Sequence, residues 1–152
     1  MYIFDGAMGT MLQAAGLEEG YCPELFNIER PEVVKDIHAQ YLLHGSDVIT
    51  TNTFGACGLK LEDYALQDRV REINIAAVKV AKEAIAENKP TARVAGSMGP
   101  TGRFLQPLGN MSFDSIYDTY REQAKALIEG GVDFIIIETI IDVQEMRAAL
   151  LA

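Results

Sequence analysis

Four short apolar runs in this chain each end on a residue with chemistry to offer. Asp5 follows Tyr2-Ile3-Phe4, and Thr51-Asn52-Thr53 follows Asp47-Val48-Ile49-Thr50. Ser97 comes just after Arg93-Val94-Ala95, and Glu138 closes the run from Val132 to Ile137. Glu138 is the most informative of these, because a carboxylate ending a buried apolar run is costly unless it is paired or meets a ligand. The stretch Asp5-Gly6-Ala7-Met8-Gly9-Thr10 joins an acid to a turn rich in free amides. Gly6 and Gly9 allow positive φ or close backbone approach, so successive N–H groups there can cradle a carboxylate or a phosphate. The pattern is neither a Walker loop nor G-x-G-x-x-G, which disfavours a nucleotide. Gly96, Gly99 and Gly102 recur at a spacing of three with no following Lys-Ser or Lys-Thr, as in a loop over a site or plain structural punctuation.

Metal and nucleophile chemistry find less support. Cys22 and Cys57 lie 35 residues apart, and His38 and His44 share one helix six residues apart. Six residues turn a helix about 240° beyond a full turn, so the two imidazoles do not share a face. No C-x-x-C, H-E-x-x-H, nucleophile elbow or triad pattern occurs. The expectation is that this chain by itself holds no metal and supplies no catalytic group of its own. Its six methionines are scattered and read as packing.

The elements that must position these residues alternate. The apolar runs are short and lack strict polar alternation, as strands buried on both faces of a parallel sheet do. Pro31 opens a helix in which Val34, Ile37 and Tyr41 share a face until Gly45 stops it. From about Asp68 to Asn88, Val70, Ile73, Ala77, Val80 and Ala84 form an apolar stripe, and Pro90 prevents continuation. Ser112 caps a helix carrying Phe113, Ile116, Tyr120, Ala124 and Leu127, closed by Gly130-Gly131. Asp142 with Glu145 three residues on has the spacing of a capping box.

The order βαβαβαβα predicts an α/β fold with a parallel sheet, either doubly wound or a (β/α)8 barrel. The 133 positions from Asp5 to Glu138 cover three strand intervals, about 44 residues each, and a complete barrel takes ~250 residues. A barrel here is therefore half of one: residues 1–152 as its first four βα units. Polar residues at every strand end favour the barrel, whose strand tips converge on one mouth.

Composition narrows the function further. The 152 residues carry 13 basic and 22 acidic side chains, a net charge of −9, which disfavours nucleic acid as a partner. Asp133 and Glu138 interrupt the longest apolar stretch, which is far shorter than the ~20 residues of a membrane span. No basic region precedes an apolar run at the amino terminus, and two cysteines make no disulfide framework, so a reduced, cytoplasmic protein is expected.

Several motifs occur together in order: Asp5-Gly6-Ala7-Met8-Gly9-Thr10-Met11-Leu12, Pro23-Glu24-Leu25-Phe26-Asn27, Gly45 to Phe54, Gly99-Pro100-Thr101-Gly102 and Ile137-Glu138-Thr139. With them the chain resembles the homocysteine S-methyltransferase family, and within it the amino-terminal half of the homocysteine-binding domain of the cobalamin-dependent methionine synthases. The resemblance implies a (β/α)8 barrel in which zinc favours the thiolate of homocysteine, the nucleophile that takes a methyl group. Methylcobalamin is the implied donor, carried on another domain and recharged from a folate. Carried over by motif, Glu138 meets the ammonium of homocysteine, and Asp5 is a second contact or orients the first. The amides of Ala7, Met8, Gly9 and Thr10 meet the carboxylate, and Asn52 and Thr53 line the mouth.

The family's zinc cysteines lie in motifs beyond residue 152, so Cys22 and Cys57 do not inherit that role. Zinc and methylcobalamin are accordingly expected in a longer parent and not on this chain, which alone should be inactive. Its partners would be homocysteine, the rest of the barrel and the cobalamin and folate domains. Two open strand edges would invite self-association of the isolated chain. Alternatives are a non-enzymatic half-barrel scaffold, another barrel enzyme handling pterin or phosphate, and a homocysteine methyltransferase using betaine or S-methylmethionine.

Overall fold

A computed structural model describes all residues from Met1 to Ala152. In chain order the elements are α1 (Gly9–Ala14), α2 (Phe26–Glu29), α3 (Pro31–Leu43), β1 (Val48–Thr50), α4 (Gly58–Leu61), α5 (Val70–Asn88), β2 (Arg93–Met98), α6 (Phe113–Gly130), β3 (Phe134–Ile137) and α7 (Val143–Leu151). No helix is long and apolar enough to cross a membrane.

The three strands pair in parallel in the order β1-β2-β3. The first apolar run extends this order but forms no strand of its own. Phe4 makes one parallel bridge to Val48, and Ile3 accepts from the amides of Asp47 and Val48 at 2.7 and 3.1 Å. Tyr2, Ile3 and Phe4 are exposed. With no partner on their outer side, they keep only the pairing that β1 offers.

Neighbours in the sheet are neighbours in sequence, without the order reversal that marks a switch point in a doubly wound sheet. The sheet is also curled. Phe4 and Phe134 lie three strand spacings apart, about 14 Å in a flat sheet. Their rings nonetheless meet edge to face at 6.0 Å.

Helix ends form where local chemistry calls for them. The Ser112 hydroxyl accepts from the Ser115 amide at 3.1 Å, and α6 stops at Gly131, whose φ of 87° suits glycine. Ile116, Tyr120 and Leu127 on its inner face are fully buried against β2, β3 and α7. Burying a side chain such as Ile116 or Leu127 contributes about 2 kcal/mol. The stripe on α5 packs in the same way against α3 and α6. At the head of α7 the capping box is only half made. Asp142 accepts from the Gln144 amide at 2.7 Å, while Glu145 turns into the interior instead of back to Asp142.

Candidate functional site

The strand ends are tied to one another before any ligand is considered. The Thr51 amide donates to Ala95, the Glu138 amide to Met98 and the Gly99 amide to Phe54, at 2.9, 3.0 and 3.0 Å. Beneath them runs a buried polar network. The Ser97 amide donates to Thr51 Oγ1 at 3.1 Å, Thr51 Oγ1 lies 2.6 Å from Thr53 Oγ1, and Thr53 Oγ1 donates to the Ser97 carbonyl at 2.8 Å. Gln123, reaching in from α6 and fully buried, donates to the Thr53 carbonyl at 2.8 Å. These bonds fix the backbone on which the site residues sit, while Gln123 Oε1 is buried without a partner.

Above it opens a cavity of about 290 Å³. One wall is the turn Gly6 to Gly9, another is Thr50, Thr51, Asn52 and Phe54, and Ser97 and Glu138 complete it. The turn is pressed from behind by Tyr41 of α3, whose hydroxyl donates to the Ala7 carbonyl at 2.9 Å. A Cβ at position 6 would lie 2.9 Å from that hydroxyl, so Gly6 serves close approach and not positive φ. The N–H groups from Ala7 to Thr10 donate to no acceptor of the chain; those of Gly9 and Thr10 belong to the first turn of α1, where none is available within the helix.

Glu138 is half-buried and accepts from the Ser97 hydroxyl at 2.6 Å through Oε1. The next residue, Thr139, has a φ of 61°. A β-branched residue in the left-handed region is strained by roughly 1–3 kcal/mol, and such strain gathers at functional sites. Asp5 accepts from the Thr50 amide at 2.8 Å and from its hydroxyl at 3.0 Å. Burial pushes its carboxyl up to about 6 against the lowering effect of those bonds, and the nearby charge of Glu138 adds to the rise. The two acids, 133 residues apart in sequence, thus share one electrostatic environment.

Of the residues expected from sequence, Ala7, Met8, Gly9, Asn52 and Glu138 stand on the cavity wall, with Asp5 beside it. The Asn52 side chain already donates to the Pro23 carbonyl at 2.9 Å. Thr53 is wholly buried in the supporting network, and exposed Thr10 is not part of the wall. Sequence reasoning left out Phe54, which lines the cavity, and Ser97 as the partner of Glu138. Ser97 stood out only as a polar strand end. Nothing local to it announced which acid its hydroxyl would meet.

Metal chemistry finds no built site. Cys22 and Cys57 are both free and buried; burial above all pushes their thiols up to about 12 and about 11, away from the thiolate a metal requires. No three of the His, Cys, Asp and Glu side chains gather in a way that could hold an ion, so the residues present do not fit the zinc that the resemblance implies. A cavity of 290 Å³ is at the small end of ligand pockets, about 300–1,000 Å³, and does not fit a corrin either.

The family model described as homocysteine S-methyltransferase matches residues 2–152, and the chain belongs to that family. It is 40% identical, over 97% of its length, to methionine synthase from Mycobacterium tuberculosis strain ATCC 25618 / H37Rv, and spans 13% of that protein. Among solved structures it is similar to homocysteine methyltransferase MmuM from Escherichia coli. The oxidized form matches at a TM-score of 0.80 and 25% identity, the metallated form at 0.81 and 26%. In each comparison 97% of this chain is covered, and 56% and 57% of the MmuM chain respectively.

Proposed function

We propose that residues 1–152 form the first four βα units of a (β/α)8 barrel and hold the charged head of homocysteine in a methionine synthase. One observation carries the reading: Glu138 stands on the wall of a cavity sized for an amino acid, with Asp5 beside it and the free amides of Ala7 to Gly9 along another wall. In this reading Glu138 takes the ammonium, Asp5 supports it, and the N–H groups of Ala7, Met8 and Gly9 receive the carboxylate. Holding the head directs the thiol outward, so that orientation is this chain's contribution to the reaction. Sulfur activation belongs to the remainder of the barrel, which would pair with the outer edge of β3, and methyl delivery to the cobalamin and folate domains. The chain alone is then expected to transfer no methyl group and, with its barrel edges open, to self-associate. The 40% identity to a methionine synthase, over 97% of the chain, favours this branch over one using betaine or S-methylmethionine.

Calorimetric titration with homocysteine, with and without zinc, tests the reading. Weak binding indifferent to zinc is expected, reduced at least ~10-fold by Glu138→Ala, a difference of about 1.4 kcal/mol. Unchanged affinity in the variant, or binding that requires zinc, would contradict it.

A further inference from the structure

The geometry points to Ser97 as the positioning residue for Glu138, an inference that rests on Glu138 meeting the ammonium. Ser97 is 3% exposed at the end of β2, and its main chain is held on both sides. Its amide donates to Thr51 Oγ1 at 3.1 Å, while its carbonyl accepts from Thr53 Oγ1 at 2.8 Å and from Gln123 Nε2 at 3.4 Å. A residue fixed in this way presents its side chain from a constant point. Its hydroxyl has one proton, and that proton goes to Glu138 Oε1 at 2.6 Å, the length of a charge-assisted bond between a hydroxyl and a carboxylate.

The bond determines how the carboxylate can be used. With Oε1 engaged, Oε2 has no donor from the chain, and Glu138 stands on the cavity wall. A glutamate at a strand end otherwise samples several rotamers, and a ligand that needs one of them must first select it. Ser97 makes that selection in advance. The network of Thr51, Thr53 and Gln123 therefore reaches the ligand through a single hydroxyl, although none of those three side chains bonds to Glu138.

Homocysteine affinity of the 152-residue chain, measured for Ser97→Ala, Ser97→Thr, Glu138→Ala and the Ser97→Ala/Glu138→Ala pair, provides the test. Ser97→Ala is expected to weaken binding roughly 5- to 10-fold, Ser97→Thr to restore most of it, and Ser97→Ala to add nothing once Glu138 is gone. An analogue of homocysteine lacking the amino group should bind Ser97→Ala and the unmodified chain equally, an outcome that loss of structure at position 97 would not give. If Glu138→Ala weakens binding and Ser97→Ala does not, Ser97 has no positioning role. Equal losses for the analogue, or full additivity in the pair, would overturn it as well. No loss in Glu138→Ala, or no binding by the unmodified chain, instead refutes the reading of Glu138 on which the inference rests.

Discussion

Glu138 and Glu145 lie seven residues apart on the same β–α unit and have opposite fates. Glu138, half-buried, has one oxygen held by one hydroxyl and stands on a cavity wall. Glu145 is 3% exposed, and its Oε1 lies within hydrogen-bond distance of the Thr101 amide, the Thr101 hydroxyl and the Tyr120 hydroxyl at 2.8, 2.6 and 3.0 Å. The first carboxylate keeps capacity for a ligand. The second gathers three donors on Oε1 and pins the Gly99–Gly102 loop to α6 and α7. A buried acid alone therefore does not mark a binding residue; how many of its acceptor sites the fold has already filled is the more telling property.

Substitutions can break or sharpen this contrast. The largest effect is expected from Glu145→Ala, which leaves the Thr101 amide and hydroxyl without their acceptor and the Tyr120 hydroxyl with the Gly99 carbonyl alone. It should lower stability by about 3–5 kcal/mol in chemical denaturation, while homocysteine affinity per folded molecule stays unchanged. A comparable loss of affinity would mean that Glu145 belongs to the site.

His38 carries the contrast further, being fully buried with neither ring nitrogen hydrogen-bonded. Burial pushes its imidazole down to about 4 from the ordinary 6.5. The folded state then binds fewer protons than the unfolded one. This contribution is complete above pH 6.5 and is lost as pH falls through 6.5 toward 4, by about 3 kcal/mol in all. Replacement with leucine should flatten that part of the stability profile; an unaltered profile would mean that His38 does not titrate there.

Asp5 has the opposite sign and a smaller effect. Its carboxyl is pushed up to about 6, so the folded state holds its proton more tightly than the unfolded state does. Stability from this source is greatest below the usual carboxylate range and declines as pH rises toward 6. Binding should behave the other way, because an ammonium prefers the ionised acid. Homocysteine affinity should rise a few-fold through pH 6, and Asp5→Asn should remove that step. A step that persists in the variant would belong to another group.

The contrast also shows what the sequence could convey. Helix stripes, the stops at Gly45 and Gly131, the Ser112 cap and the parallel sheet were legible because each depends on residues close together in the chain or on simple periodicity. Glu138 stood out because an acid at the end of a buried apolar run is costly unless something meets it, and Asp5 because it precedes a turn rich in free amides. Glu145 was misread as the return half of a capping box, since the three-residue spacing from Asp142 is the same whether it turns outward or inward. Only Thr101 and Tyr120, more than 20 residues away, decide that direction. Thr53 was similarly placed at the mouth, although it bonds inward to Ser97. The first strand shrank to a single bridge because a sequence run does not reveal whether an edge has a second partner.

The most direct test of the central claim is a structure of the chain bound to homocysteine. The ammonium is predicted within hydrogen-bond distance of Glu138 Oε2, with the carboxylate against the Ala7–Gly9 amides and the thiol directed out of the cavity. A complex with the amino acid reversed, or seated away from Glu138, would contradict it.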